Sequence, residues 1–134
     1  MMIYFDTNVL IYTVATQGDK KTEISNYLIS KAIKRKEFFI SELVLIELIF
    51  GLSKLKIENK EIVDLYYDLS KSMINNDIVI SAFKKCKLLN KCRNINDFVH
   101  LEIVNRYCDK LITFDSDFKN LEKFYDIEIE ILKD

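Results

Sequence analysis

The sequence predicts an α/β protein built on a mostly parallel sheet, and three observations carry that prediction. Short runs of apolar, β-branched and aromatic residues alternate with longer stretches of helical period. Several of these runs stop abruptly in Asp, Asn or Ser, the residues that start helices, and a helical pattern follows at once. The chain holds no proline and shows no internal repeat or low-complexity stretch, so nothing divides its 134 residues into units. A single domain spanning 1–134 is expected, with strands joined by crossover helices that cover both faces of the sheet.

The bulk numbers exclude several classes. With 49% hydrophobic and 31% charged residues the chain is not disordered. A net charge of -1 creates no field that would gather a polyanion, so any nucleic acid needs a local basic patch. The three cysteines, Cys86, Cys92 and Cys108, include no CxxC pair, which argues against a disulfide framework and a cysteine zinc site. Cys86 and Cys108 fall on apolar helix faces and are expected to be core thiols in a reducing compartment. The first strand begins almost at Met1, leaving no room for a cleavable signal, and no apolar run approaches the ~20 residues that span a bilayer. A cytoplasmic protein without membrane contact is expected.

The elements follow in order. Ile3-Tyr4-Phe5 reads as a short buried strand that ends in Asp6-Thr7-Asn8, and a short helix follows over Val9–Thr13. Thr16-Gln17-Gly18-Asp19 is a polar loop before a helix from about Lys20 to Lys36, whose apolar stripe is Ile24, Tyr27, Leu28 and Ala32. Phe38-Phe39-Ile40 is a second strand, with Ser41 as cap of a helix over Leu43–Leu52. That helix is apolar nearly all round and is expected to be buried, with Glu47 inside it. A charged linker, Lys54 to Lys60, precedes an amphipathic helix marked by Ile62, Leu65, Tyr66, Leu69 and Met73. Asn75-Asn76-Asp77 reads as a turn and Ile78-Val79-Ile80 as a third strand, with Ser81 capping a helix to about Lys91. Asn94 to Asp97 breaks that helix and starts the next, to about Tyr107, with Leu101, Val104 and Cys108 inward. Leu111-Ile112-Thr113 is a fourth strand, and Ile127, Ile129 and Ile131 alternate with Glu128 and Glu130 in a fifth at the sheet edge.

The acids fall in a pattern. In a parallel sheet the carboxyl ends of all strands share one edge, where ligands bind. Asp6 and Asp115 follow strands there directly, and Glu47 and Asp97 stand on helices that begin at or near that edge. Each has a plainer reading. Asp6 and Asp97 could be helix caps, Glu47 could reach the surface or pair with a lysine, and turn chemistry could explain Asp115 or Asp117. Together, four acids without a Lys or Arg in the same motifs repel one another unless they share a cation. Oxygen ligands suit Mg²⁺ or Mn²⁺ better than Zn²⁺. Such an ion activates water and neutralises charge on a phosphodiester.

At these residues the sequence resembles the PIN domain family, particularly the small VapC-type ribonuclease toxins of toxin–antitoxin pairs. The resemblance rests on Asp6 to Ile11, Ser41 through Glu47 to Gly51, Asp97 to Leu101, and Thr113 to Phe118, in the family's order. It implies a three-layer fold with five strands in the order 3-2-1-4-5. It also implies a divalent-metal-dependent endoribonuclease that cleaves RNA phosphodiesters with metal-activated water. Asp6, Glu47, Asp97 and Asp115 match the acidic catalytic and metal-binding set, Asp117 a more variable fifth acid, and Asn8 and Thr113 supporting polar residues. Mg²⁺ or Mn²⁺ is the implied cofactor, and RNA, a cognate antitoxin and a second copy of the chain are the implied partners. Glu102 and Val104 depart from the small residues usual in that helix, and His100 is read as structural.

The densest cluster of cations is Lys84, Lys85, Lys87, Lys91 and Arg93, expected to contact RNA unless it is only a solvated helix face. A second set is Lys20, Lys21, Lys54 and Lys56. Two other functions fit less well. A PIN fold kept as an RNA- or protein-binding module would not need the full acid set. A phosphoacceptor receiver domain needs an acidic pair near the start and a lysine after the last site strand, whereas Asp6 stands alone and acids follow Thr113.

Overall fold

The structure, a computed structural model, describes residues 1–15 and 19–133. The loop expected at Thr16-Gln17-Gly18 therefore lies outside the described residues. Strand β1 (Ile3–Phe5) is central, between β2 (Phe38–Phe39) and β3 (Lys110–Thr113), and β4 (Glu128–Ile131) lies beyond β3. All pairings are parallel, and the sheet order is β2-β1-β3-β4. Phe5 is registered with Ile112, so the next residues of the two strands, Asp6 and Thr113, emerge side by side at the carboxyl edge.

The expected five-stranded sheet is corrected to four. Ile78-Val79-Ile80 is not a strand but part of helix α5 (Asn76–Leu88). Asn75 is its cap, its Oδ1 accepting from Ile78 N at 3.0 Å, and Ile78, Ala82 and Cys86 are its buried face at helical spacing. The β-branched triplet carried only local propensity, which packing on a helical period overrides. Ser81 is accordingly mid-helix, accepting from Arg106 Nη2 at 3.3 Å, and caps nothing. The flank of β2 where a third strand was expected carries a single parallel bridge, Ser41 to Lys71. There Lys71 N donates to Ile40 O at 2.9 Å and Glu42 N to Lys71 O at 3.0 Å.

The other helices are α1 (Thr7–Val14), α2 (Lys20–Lys34), α3 (Glu42–Lys54), α4 (Lys60–Leu69) and α6 (Ile95–Tyr107). Short 3₁₀ turns cover Cys92–Asn94 and Ser116–Phe124. Side chains of Asp6, Asp19, Ser41 and Asn59 cap α1, α2, α3 and α4. The core is closed by Tyr4, Phe5, Leu10, Leu48, Phe98, Leu101 and Leu111, all fully buried. Helix α3 is not buried all round as its composition predicts. Val44, Leu45, Leu48 and Leu52 face the core, while Ile46, Ile49 and Phe50 stand 59%, 51% and 67% exposed. Only one stripe of a helix can face a sheet, whatever the other faces carry. No helix of the described residues is long and apolar enough to cross a membrane.

The cysteine reading is corrected too. Cys86 is buried as expected, but its sulfur is bonded to that of Cys92, with Cα atoms 4.8 Å apart. After α5 the chain turns back through Asn90 in a left-handed conformation, bringing residue 92 over residue 86, which spacing rules do not register. Cysteine usage thus gives no argument for a reducing compartment. Cys108 is a free thiol, half-buried, and burial pushes it up to about 12.

With two glycines in the whole chain, helices end without them. Lys36, Lys56 and Asn90 adopt positive φ of 58°, 56° and 54° just past α2, α3 and α5. Each is followed by a 6→1 bond: Glu37 N to Ala32 O, Ile57 N to Leu52 O and Lys91 N to Cys86 O. Lysine pays a steric cost there that glycine does not. Lys36→Gly and Lys56→Gly should each add about 0.5–1 kcal/mol to unfolding free energy, and Asn90→Gly less, as asparagine tolerates this region. Urea midpoints at constant m-value read this out, and an unchanged or lower midpoint for both lysine variants contradicts it.

Helices α5 and α6 are joined by an ion pair unforeseen in the sequence. Glu102, 2% exposed, accepts from Lys85 Nζ at 2.5 Å and lies 3.7 Å from Arg106 Nη2. Lys85 Nζ also sits 4.1 Å from the centre of the Tyr125 ring. Lys85→Met should cost about 3 kcal/mol by leaving a buried carboxylate short of a partner, and adding Glu102→Leu should recover most of it. Equal stability of the single variant and the wild type in urea contradicts a structural pair.

Candidate metal centre

Asp6 is placed by both of its neighbours in the fold. Its backbone N donates to Ile112 O at 3.0 Å, which ties it to β3, and its Oδ1 accepts from Thr7 N at 2.8 Å, which caps α1. The cap reading of Asp6 therefore holds, and its second oxygen is left for the end of β3. The second oxygen, Oδ2, accepts from Thr113 Oγ1 at 2.6 Å and Asn8 Nδ2 at 3.2 Å. The side chain of Asn8 also reaches Thr113 Oγ1 at 3.3 Å and accepts from Phe114 N at 3.2 Å. Asp6 is 8% exposed, and burial raises its carboxyl above the usual range despite His100 and these donors.

Glu47 comes from α3. Its Oε1 accepts from Thr7 Oγ1 at 2.8 Å and bonds His100 Nε2 at 2.8 Å, and its Oε2 accepts from Asn96 Nδ2 at 3.3 Å. Burial pushes its carboxyl up, but the His100 hydrogen bond and charge, with Thr7 and Asn96, outweigh burial and leave it lowered. At Gly51 the two helices pack closely: a Cβ there would stand 2.9 Å from Ile11 Cδ1, the far end of a side chain that would have to shift. Thr7 and Ile11 are one turn apart on α1, as Glu47 and Gly51 are on α3, so the glycine contact and the Thr7–Glu47 bond are successive rungs of one helix pairing.

His100 is fully buried behind Glu47, and its Nδ1 bonds Tyr4 Oη at 2.6 Å. Tyr4 Oη in turn meets Ser41 Oγ at 2.7 Å, and Ser41 Oγ accepts from Val44 N at 3.4 Å. Burial disfavours the imidazolium, while Glu47, Asp6 and Asp97 favour it, and the balance is a raised pKa. Both ring nitrogens are engaged. Asp6, Glu47 and His100 hold ligand-type atoms within 4.8 Å of one another, and the open positions in that set are carboxylate oxygens.

Asp97 lies in the first turn of α6, half-buried, and accepts no hydrogen bond among the described residues. It therefore makes no cap bond. Its carboxyl is raised to about 6, first by burial and then by the charges of Asp6, Asp115 and Glu47, with His100 opposing. Those charges tie the four acids into one electrostatic pocket. Asp115 is half-buried beyond β3, its N donating to Thr113 Oγ1 at 3.0 Å and its Oδ1 accepting from Asp117 N at 2.9 Å. Asp117 is exposed in the following 3₁₀ turn. Thr7, Asn96 and the Tyr4–Ser41 pair are participants that sequence reasoning passed over. Thr7 stood inside the Asp-Thr-Asn motif and Asn96 beside Asp97, but nothing in the sequence aims them at Glu47.

The expected basic cluster is divided. Lys85 is engaged by Glu102, Lys87 Nζ lies 5.9 Å from the Phe83 ring, and Lys84, Lys91 and Arg93 are exposed. Lys91 and Arg93 flank the turn that leads into α6 and so approach Asn96 and Asp97 in the chain.

The raised Asp97 carboxyl has a consequence for stability. The native state holds that proton more tightly than the unfolded chain, so stability falls as pH rises from about 4 through about 6 and then levels. In chelator at pH 7.5, Asp97→Asn should melt higher than wild type, and the gap should close toward pH 4. A variant that melts lower at pH 7.5 would mean that the acid is stabilising and the pocket is not strained by charge.

Comparison with known proteins agrees with this architecture. The PIN domain model matches residues 3–124. Among solved structures, the chain is similar to one in the crystal structure of VapBC2 from Rickettsia felis bound to a DNA fragment from their promoter. Identity is 18% and the TM-score 0.61, over 99% of this chain and 100% of that one. No curated protein matches the chain. The structural likeness speaks for the fold, and the family model spans nearly the whole sequence: the chain belongs to the PIN domain family.

Proposed function

We propose that this protein is a divalent-metal-dependent endoribonuclease and the VapC-type toxin of a toxin–antitoxin pair. The observation that carries this reading is the braced Asp6. A carboxylate 8% exposed is held by Thr7, Asn8 and Thr113 beside Glu47, with Asp97 and Asp115 adding charge to the same pocket. Such a pocket is costly unless a cation occupies it, and its oxygen donors suit Mg²⁺ or Mn²⁺. Asp6, Glu47, Asp97 and Asp115 would hold that ion, with Asp117 at the rim. When bound, it neutralises charge on a phosphodiester and makes water a competent nucleophile at neutral pH.

The chain's own groups supply orientation. Thr113 donates to Asp6, and Asn8 spans Asp6, Thr113 and the backbone of Phe114, so the β1 and β3 ends cannot drift apart. Thr7, His100 and Asn96 do the same for Glu47. RNA as substrate, a protein antitoxin as partner, a homodimer as assembly and the cytoplasm as location follow from the VapC reading. The similar structure, itself a VapBC complex, supports the antitoxin. Lys84, Lys91 and Arg93 remain available to RNA phosphates.

Purified protein should cleave RNA with Mn²⁺ or Mg²⁺ and be silent in chelator. Asp6→Asn, Glu47→Gln, Asp97→Asn and Asp115→Asn should each lower kcat by roughly 100-fold or more, and Asp117→Asn by less than about tenfold. Mn²⁺ at 100 times its dissociation constant should also add about 2.7 kcal/mol to stability. Cleavage that survives in chelator or in the Asp6 variant overturns the metal mechanism. RNA binding without cleavage under any metal makes the protein a binding module.

A further inference from the structure

We propose that Tyr4 is a positioning residue of the acidic pocket. Its hydroxyl holds the His100 ring, the ring occupies one oxygen of Glu47, and the other oxygen is left for the ion. This rests on the metal-dependent nuclease reading and narrows which atoms of the pocket coordinate. Tyr4 is fully buried on the central strand, in register with Phe39 of β2 and Leu111 of β3. A phenylalanine would fill that apolar space, so the hydroxyl needs its own reason. Its Oη lies 2.6 Å from His100 Nδ1 and 2.7 Å from Ser41 Oγ. Two residues further on, Asp6 leaves the strand on the same face. The central strand thus places one acid directly and supports a second through Tyr4 and His100.

The direction of the hydrogen bonds is fixed where they meet Glu47. A carboxylate only accepts, so the proton shared with His100 sits on Nε2. A hydroxyl both donates and accepts, so Tyr4 can serve Nδ1 whether or not that nitrogen carries a proton. The ring stands edge-on to Tyr4, with centroids 5.7 Å apart and planes at 66°, and a flip of His100 breaks the bonds at both nitrogens. Glu47 Oε1 then receives two donors, Thr7 Oγ1 and His100 Nε2, each at 2.8 Å, which fill its two lone pairs. Among the described residues Oε2 receives only Asn96 Nδ2, at 3.3 Å. The free lone pair of Glu47 is therefore on Oε2. On Asp6 the same count leaves it on Oδ1, which accepts from Thr7 N, whereas Oδ2 accepts from Thr113 and Asn8. Releasing Tyr4 frees the ring, and Glu47 loses the donor that keeps Oε2 turned away from His100. Outer partners of this kind set metal affinity by roughly 10–100-fold.

The test compares wild type with Tyr4→Phe, His100→Gln and the double variant, without RNA. Mn²⁺ binding is read from the loss of the free-ion electron paramagnetic resonance signal. Tyr4→Phe should weaken it roughly tenfold. His100→Gln keeps a donor for Glu47 but offers Tyr4 no ring nitrogen. In that background Tyr4→Phe should change Mn²⁺ affinity by less than about twofold. A phenol that only stabilises the core gives the same loss in both backgrounds, or none in either, and both results overturn the proposal. His100 is the only histidine in the chain, so its ring resonances identify themselves. In chelator, wild type should show one ring state whose Nε2 proton is protected from exchange, and Tyr4→Phe should lose that protection. Protection unchanged in Tyr4→Phe, or absent from wild type, overturns the proposal even if the double variant does not fold. Cleavage of RNA in Mn²⁺ is scored separately. Coupled Mn²⁺ binding without cleavage removes the nuclease reading alone, and cleavage with uncoupled variants removes the role of Tyr4 alone. Failure of wild type to bind Mn²⁺ removes both.

Discussion

The structure depends on bracing a buried acidic side chain at the end of the central strand. Asp6 sits where β1 stops and α1 starts, nearly shut off from water. An isolated carboxylate there would protonate or force the strand end open. Three donors oppose this, although burial still leaves the pKa raised, and each comes from a different constraint. Thr7 N is an orphan helix donor, Thr113 Oγ1 arrives by the parallel register of β1 with β3, and Asn8 Nδ2 reaches back from the first turn. The same three bonds cap the helix, pin the sheet and aim the acid. A substitution at any of these donors would disturb all three.

Glu47 is charged by different means. Its partners are His100, Thr7 and Asn96, from α6, α1 and the start of α6. Asp97 has no such support and its pKa rises. The pocket therefore holds acids of unlike character: Glu47 lowered by its donors, Asp6 braced yet raised by burial, and Asp97 raised by burial and then by its neighbours' charge. This inequality follows from where each helix begins. The N-terminus of α1 supplies Asp6 with a donor, whereas α6 opens through a 3₁₀ turn with no side-chain cap, so its first-turn acid is left facing the others.

Much of this was legible in the sequence, because strand ends and helix starts are local signals. Asp6-Thr7-Asn8, Ser41 and Thr113-Phe114-Asp115 each announce an element boundary, and those boundaries define the carboxyl edge. What was illegible depends on approach between distant segments. The triplet Ile78-Val79-Ile80 has strand propensity, yet its cap at Asn75 and its inward face at positions 78, 82 and 86 belong to a helix. The Cys86–Cys92 bond needs the left-handed turn at Asn90, and the Lys85–Glu102 pair needs α5 packed on α6. Thr7 and Asn96 look like ordinary cap residues until α3 brings Glu47 between them.

The Lys85–Glu102 pair also bears on how charge is distributed around the pocket. Lys85 looked like one cation of a surface cluster, but it lies across Glu102 and the Tyr125 ring. Its charge is spent inside the protein, neutralising an acid on the same helix that carries Asp97 and His100. Without it, Glu102 would keep only the longer Arg106 contact, on the helix that also carries Asp97. Glu102 and Val104 are both nearly inaccessible, so the larger residues that replace the small ones usual in this helix are accommodated by pairing and packing. The exposed cations of the expected cluster not engaged in this way are Lys84 on α5 and Lys91 and Arg93 ahead of α6. On the proposed nuclease reading, attraction at that rim and repulsion at the centre would draw an RNA strand across the edge of the sheet and leave a phosphate over the acids, where a bound cation would neutralise it.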